Sequence, residues 1–288
     1  MINKLNLINI IIFLIIIIFL SGFIYCLNYF YTNIFVIEEL KSDQMEILED
    51  LEKKYGKKYP LGNDYFRIIH NPSYNTFFEQ FIGHNYLVKK NKNQIISTCC
   101  FANIYKDIYY ICDLKKIGVS KHQTFDFFIY AYLILGIRKM FGIVMEPNYT
   151  INHLTSKYGF VKISQLKLYK IKFVVIKKNM HYFNKIFPHF FITPGFKKFI
   201  LESNNFELKC YHIAQFTDYK ITIKPVKSIG LEKINDDDDI MFCINTKSNL
   251  NYLLEIENIF PTNLMSIITN KQFSKEEFDF NLIKTYMI

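Results

Sequence analysis

The chain contains no tryptophan, and none of its six cysteines falls in a C-x-x-C pair or at a zinc-ligand spacing. That pattern argues against zinc-binding modules and dithiol redox motifs. Cys112 lies in a continuous apolar run and reads as a small buried hydrophobe. Cys99 and Cys100 are adjacent, so on a strand they point to opposite faces and cannot serve one site. A reduced compartment is the simpler reading of this cysteine set. Also missing is any basic stripe interleaved with aromatic residues. The net charge of +9 favours anionic partners in general, yet the lysines are dispersed, which argues against nucleic acid. No metal site is expected. The run Asp236 to Asp239 has no ligand spacing around it and reads as a solvated turn rather than a cation site.

A third absence is charge near the amino terminus. From Leu5 to Leu27 there is no charged residue, and the run is almost wholly Ile, Leu and Phe. About twenty apolar residues suffice to span a bilayer. The run is too long for a signal peptide's apolar region, and no small-x-small cleavage site follows. Tyr25, Tyr29, Phe30 and Tyr31 fit an aromatic belt at a membrane surface. The expectation is a single-pass N-terminal transmembrane helix, with the membrane as a partner. The flanking lysines leave the side of the remaining chain open.

What is present supports a folded protein. The 288 residues are 50% hydrophobic and 17% aromatic, enough for one large domain or two modest ones with a substantial core. The excess of Asn, Ile, Lys, Phe and Tyr without Trp is the signature of an AT-rich genome, so part of the lysine surplus is compositional. Four segments follow: an anchor over 1–37, a charged helical stalk over 38–58, a mixed domain over 59–175, and a smaller α+β region over 176–288. In the stalk, Leu40, Met45, Leu48 and Leu51 form one apolar stripe. Tyr59 to Asp64 carries a proline and a glycine that break it.

The most informative stretch runs from Asp107 to Phe160. It reads strand, loop, helix, strand, helix. A strand ending at Met145 stops at Pro147, Asn148 is a good N-cap, and Ile151, Leu154 and Tyr158 recur at helical spacing. Gly159 sits where a helix needs a left-handed stop. Ahead of it, 85–90, 94–105 and 108–117 read as an antiparallel meander, and the helix over 124–137 has one apolar face.

Asn148, Ile151, Leu154, Lys157, Gly159 and Phe160 resemble the N-x-x-A-x-x-L-Y-x-K-x-G-F segment of the GCN5-related N-acetyltransferase superfamily. Tyr109 to Lys115, YYICDLK, resembles that family's fourth strand. The resemblance covers roughly residues 64 to 175. It implies an α+β (α/β) acetyltransferase-like fold, a mixed and mostly antiparallel sheet flanked by helices. It also implies acetyl-CoA as cofactor and an amine as substrate, on the cytosolic side of any membrane.

Carried over by position, the resemblance implies that Leu114, Lys115 and Lys116 lie along the cofactor's pantetheine arm. Lys121 and His122 fall in the pyrophosphate loop, and Asn148 caps the next helix beside the cofactor. Both loop glycines are replaced, by Thr124 and Asp126. An inward-facing Asp126 about 5 Å from a phosphate charge would cost roughly 3 kcal/mol at an effective dielectric near 20. A structural account of the loop also exists, with Thr124 as N-cap and Asp126 complementing the helix dipole. The family's tyrosine acid falls on Thr155, with Tyr158 one helical turn on as a substitute. For a base the choices are Asp113, His84 and Glu146. Two readings stay open: a membrane-anchored acyl-CoA-dependent N-acetyltransferase, weakened or inactive, and a non-enzymatic interaction protein that kept the fold.

Overall fold

Buried side chains on both faces mark the centre of the molecule. In β5 (Gln94–Tyr105), Cys99, Cys100, Phe101 and Ala102 are all fully buried in succession, as a strand covered on two sides requires. The computed structural model describes residues 16–22, 35–61, 64–71, 73–105, 107–117, 124–146, 149–186, 190–194, 197–205, 207–208, 210–215 and 230–270.

Before β5 come β1 (Phe35–Glu39), α1 (Glu46–Tyr55), β2 (Lys58–Leu61), β3 (Asp64–His70), α2 (Tyr74–Phe78) and β4 (Gly83–Asn91). After it come β6 (Ile108–Lys116), α3 (Phe125–Leu133), β7 (Lys139–Met145), α4 (Tyr149–Lys157) and β8 (Val161–Lys172). The rest comprises α5 (Phe173–Lys178), α6 (Met180–Ile186), β9 (Phe190–Pro194), β10 (Lys197–Leu201), β11 (Glu207–Leu208), β12 (Cys210–Gln215), β13 (Asp239–Asn245), α7 (Asn249–Ile256) and β14 (Asn263–Thr269).

Among the described residues, ten strands form one sheet in the order β1-β4-β5-β6-β7-β14-β8-β13-β12-β9, and four form another in the order β11-β10-β3-β2. Pairing is antiparallel except for β6 with β7 and β12 with β13. The fold is thus mixed and mostly antiparallel with flanking helices, as expected. The meander and the two helices that follow it lie within a few residues of where the patterns put them. Gly159 does adopt positive φ, +69°, and the Phe160 N–H returns to the Leu154 carbonyl at 3.3 Å to close the end of α4.

One core lies between the large sheet and the layer made by α1, α2 and the small sheet, built on Leu48, Phe66, Phe77, Tyr86, Cys100 and Phe141. A second, containing Phe101, Ile111, Phe127 and Leu154, lies on the other face under α3 and α4. A third gathers Tyr169, Phe183, Ile240 and Leu250 at the β13 end.

The expected transmembrane helix is corrected. Among the described residues no helix is long and apolar enough to cross a membrane. The described part of that run is 16–22, which is helical. Residues 5–15 and 23–27 of the run lie outside the described residues. The single-pass localisation and the membrane as partner fall with it.

Residues 35–58, divided in the sequence reading between anchor and stalk, are folded into the protein. Strand β1 pairs with β4. The stripe of Leu40, Met45 and Leu48 is buried in the first core. The last described strand is integrated too, since β14 lies between β7 and β8 and pairs with both. Strand β8 therefore reaches β7 only through β14. In the aspartate run, Asp236 pairs with Lys177 at 2.6 Å and Asp239 with Lys172 at 3.2 Å.

Because β14 is central, its core side chains should support the whole molecule. Ile267 is fully buried between two strands. Ile267→Ala should cost about 2–5 kcal/mol. In urea titrations followed by tyrosine fluorescence and far-UV circular dichroism, both signals should shift to lower urea together. A displaced transition in one signal alone would show that the C-terminal region unfolds independently.

Candidate functional site

The site begins with a local irregularity in β6. Parallel pairing with β7 runs from Ile108↔Lys139 to Ile111↔Gly142 and then stops. Just beyond, Asp113 has φ +50°, a left-handed conformation that Asp tolerates better than most residues. On the other side of β6 the register with β5 slips, so that Cys100 faces Cys112 while Thr98 faces Lys115. Asp113 and Leu114 together oppose Cys99, which is a β-bulge. The bulge bends β6 away from β7, and a cleft of about 150 Å³ opens where the strands part.

The walls of the cleft differ in character. On the α3/α4 side, Leu114, Phe128, Leu154 and Ile268 make an apolar surface. On the other side, Glu52, Lys57, Tyr59, His70, Asp113 and Lys115 bring charge and hydrogen-bonding groups. Glu52 comes from α1 and its side chain is only 3% exposed. Its Oε1 accepts from Tyr74 Oη at 2.9 Å and Lys115 Nζ at 3.1 Å, and it lies 2.9 Å from His70 Nδ1. Its Oε2 accepts the backbone N–H of His70 at 2.7 Å. Lys115 also donates to Tyr74 Oη at 2.6 Å and forms an ion pair with Asp113. The second oxygen of Asp113 accepts from Tyr86 Oη.

These partners set the protonation states. Burial on its own would raise the Glu52 carboxyl, but the His70 hydrogen bond and charge, joined by Lys115, outweigh it and hold it at about 2. For Lys115 burial pulls downward, and Asp113 followed by Glu52 lifts the ammonium above its usual range. Burial is also the main cause that moves the Tyr59 phenol up to about 12 and the Tyr74 phenol well above its ordinary value. At neutral pH the wall thus holds an ionised Glu52, a charged Lys115 and neutral phenols.

Of the residues singled out from sequence, Asp113, Leu114 and Lys115 meet at the cleft, and Lys116 is exposed at the end of β6. Thr155 donates its hydroxyl to the Ile151 carbonyl one turn back, at 2.9 Å. Tyr158 stacks on Phe125 with ring centroids 4.5 Å apart, and its Oη is 3.1 Å from His153 Nε2. Glu146 is held by Lys162 and Gln165 at 2.7 and 3.1 Å. His84 lies beside Phe78 at the start of β4. Lys121, His122 and Asn148 lie outside the described residues. Thr124 makes no side-chain cap bond. Asp126 does not carry an unopposed charge, because it pairs with the Nζ of Lys89, a lysine side chain only 2% exposed.

Glu52, Tyr59 and His70 were missed. Glu52 looked like one more charge on a solvated helix, and Tyr59 like part of a linker. The available signal was the placement of Glu52 directly after Leu51, next to the apolar stripe.

Folding holds the Glu52 carboxyl below its ordinary 4.5, so its contribution is present above that value and is lost as pH falls towards 2. The depression corresponds to about 3 kcal/mol at neutral pH. Acid titration of stability should show this loss between about pH 4.5 and 2, and Glu52→Gln should remove that part of the slope. An unchanged slope in the variant would show that the carboxylate is not held as described.

No protein-family model matches the chain, and no curated protein matches it. Similarities do occur among solved structures. The ribosomal-protein-S18-alanine N-acetyltransferase from Escherichia coli is 13% identical, with 46% of this chain aligned to 81% of that one at a TM-score of 0.35. A spermidine N-acetyltransferase from Vibrio cholerae is 12% identical over 44% and 80% of the two chains, TM-score 0.32. The N-acetyltransferase PseH from Campylobacter jejuni is 16% identical over 44% and 88%, TM-score 0.30. Likenesses this distant carry no functional argument. The order of elements from β4 to β8, a mostly antiparallel sheet with a parallel β6–β7 pair and flanking helices, matches the acetyltransferase-like fold that the motif resemblance implied.

Proposed function

We propose that the cleft between β6 and β7 binds an acyl-CoA and that the chain transfers the acyl group to an amine. The observation that supports this most directly is the end of β6–β7 pairing at Ile111↔Gly142. Beyond it β6 continues to Lys116 with β5 on one side and no β7 partner on the other. A backbone edge in that state can pair with an extended ligand carrying amides. A pantetheine arm has that chemistry, and the apolar wall of Leu114, Phe128 and Leu154 suits its methylene and methyl groups.

The bound acyl-CoA would supply a thioester carbonyl already activated for attack. The chain's own residues account for the rest. Leu114 and Lys115 hold the ligand along β6. Lys121, His122 and Asn148 are proposed for its phosphate end. Lys89 offsets Asp126 near that end, which removes the like-charge penalty expected from sequence. Glu52 and Asp113 are matched by Lys57 and Lys115 in the opposite wall, while Phe77 and Tyr59 give the carbon chain of an approaching amine an apolar seat. Asp113, Tyr158 and Thr155 remain the proton-handling candidates from sequence, and of these Asp113 lies at the cleft.

Calorimetry of the full chain with acetyl-CoA and with desulfo-CoA tests the reading. Both should bind, and at a hundredfold excess over Kd acetyl-CoA should stabilise the protein by about 2.7 kcal/mol. Leu114→Pro, which removes an N–H from β6 and stiffens it, should weaken binding at least tenfold. No heat and no rise in Tm at millimolar acetyl-CoA would overturn it.

A further inference from the structure

Resting on the cleft reading above, we propose that the acceptor is an amine that also carries a carboxylate, an amino acid rather than a polyamine, and that Lys57 receives that carboxylate. Lys57 lines the cleft together with Tyr59, Ile68 and Phe77. It stands one residue past Gly56, where α1 gives way to β2. A Cβ at position 56 would lie 2.7 Å from the Glu52 carbonyl oxygen, so glycine is what lets the chain turn this closely off the helix. The turn sets Lys57 on the cleft wall, with its Nζ over the Tyr59 ring at 5.8 Å from the centroid, close enough for the ring face to steady the ammonium.

The charges nearby single out this lysine. Its neighbours Lys58 and Arg67 both pair with Glu202. Glu52 and Asp113 share Lys115, and Glu52 also holds His70. Lys57 forms no ion pair among the described residues. Partial desolvation lowers its ammonium from the usual lysine value, and no carboxylate raises it again. Service to the α1 dipole does not account for it, because Lys53 and Lys54 already occupy the last turn of that helix. Lys57 keeps contact with solvent, so an incoming anion can reach it. That anion is not a cofactor phosphate. The residues proposed for the phosphate end lead into α3 and α4, on one face of the large sheet, whereas Lys57 belongs to the layer of α1 and the small sheet on the other. An acceptor bound between these groups has its amine at the free end of β6 and its apolar part on Tyr59 and Phe77, and it ends in a carboxylate at Lys57. A polyamine would place a second ammonium there, like charge against like.

Two acceptors that differ only in the carboxylate isolate the contact: L-phenylalanine and 2-phenylethylamine, assayed on the full chain with acetyl-CoA by thiol release. The natural chain should prefer phenylalanine by about fivefold in kcat/KM, the upper size of an exposed ion pair. The preference should shrink as salt is raised from about 0.01 to about 1 M. Lys57→Met should bring the ratio to about one, Lys57→Arg should keep it, and Lys57→Glu should reverse it. Calorimetry with N-acetyl-L-phenylalanine and N-acetyl-2-phenylethylamine repeats the comparison in Kd without turnover. A fall in Tm in Lys57→Met with the ratio unchanged would mean that Lys57 serves only the fold, and would overturn the proposal. Equal handling of the two members of a pair by the natural chain would overturn the role of Lys57 as well, while leaving the cleft reading standing. Failure of the natural chain to bind acetyl-CoA would instead overturn the cleft reading, and the Kd ratio would still decide whether Lys57 holds a carboxylate.

Discussion

A half-buried lysine between two carboxylates ties the molecule together at the point where its sheet opens. Lys115 reaches Glu52 on α1 and Asp113 two residues back on its own strand. Taking these charges out of water is costly, and the cost is offset only while every partner stays in place. The hydroxyls of Tyr74 and Tyr86 and the backbone N–H of His70 complete the set. One cluster therefore fixes α1, α2, β3 and β4 against the bent end of β6. Loss of Lys115 removes the shared counter-charge of Glu52 and Asp113, which couples the wall of the cleft to the packing of the amino-terminal layer.

The bend that this cluster supports is a backbone property. Asp113 at positive φ inserts the extra residue that parts β6 from β7. The same residue supplies a carboxylate to the cluster, which binds it from two sides. Strain in the main chain and charge in the side chain are thereby coupled: the conformation that opens the sheet also delivers the acid that holds Lys115. A cleft built this way is preformed, because the pairing it gives up is not available by a small movement of either strand.

The motif reading and the structure agree where local chemistry decides. The strands of the meander, the two helices around β7 and the left-handed stop at Gly159 follow from periodicity, caps and a glycine. The structure departs where neighbours distant in sequence decide. Asp126 looked harmful to an anion until Lys89, thirty-seven positions earlier, proved to face it. The acidic helix 46–55 looked like a solvated stalk, yet Leu48 and Glu52 are buried on it. The apolar amino-terminal run met the length rule for a membrane helix, whereas among the described residues no helix is long and apolar enough to cross one.

The sequence by itself determined the mixed architecture, the β6–α3–β7–α4 unit and the presence of Asp113, Leu114 and Lys115 at one edge of it. These depend on interactions within a few residues, which the order of side chains records. Only the tertiary structure decided that β14 slots between β7 and β8, that α1 contributes Glu52, and that β3 delivers His70 to the same cleft. Strand order and the meeting of distant charges are set by how whole layers pack, and a linear pattern carries no mark of which partner a strand or a carboxylate will meet.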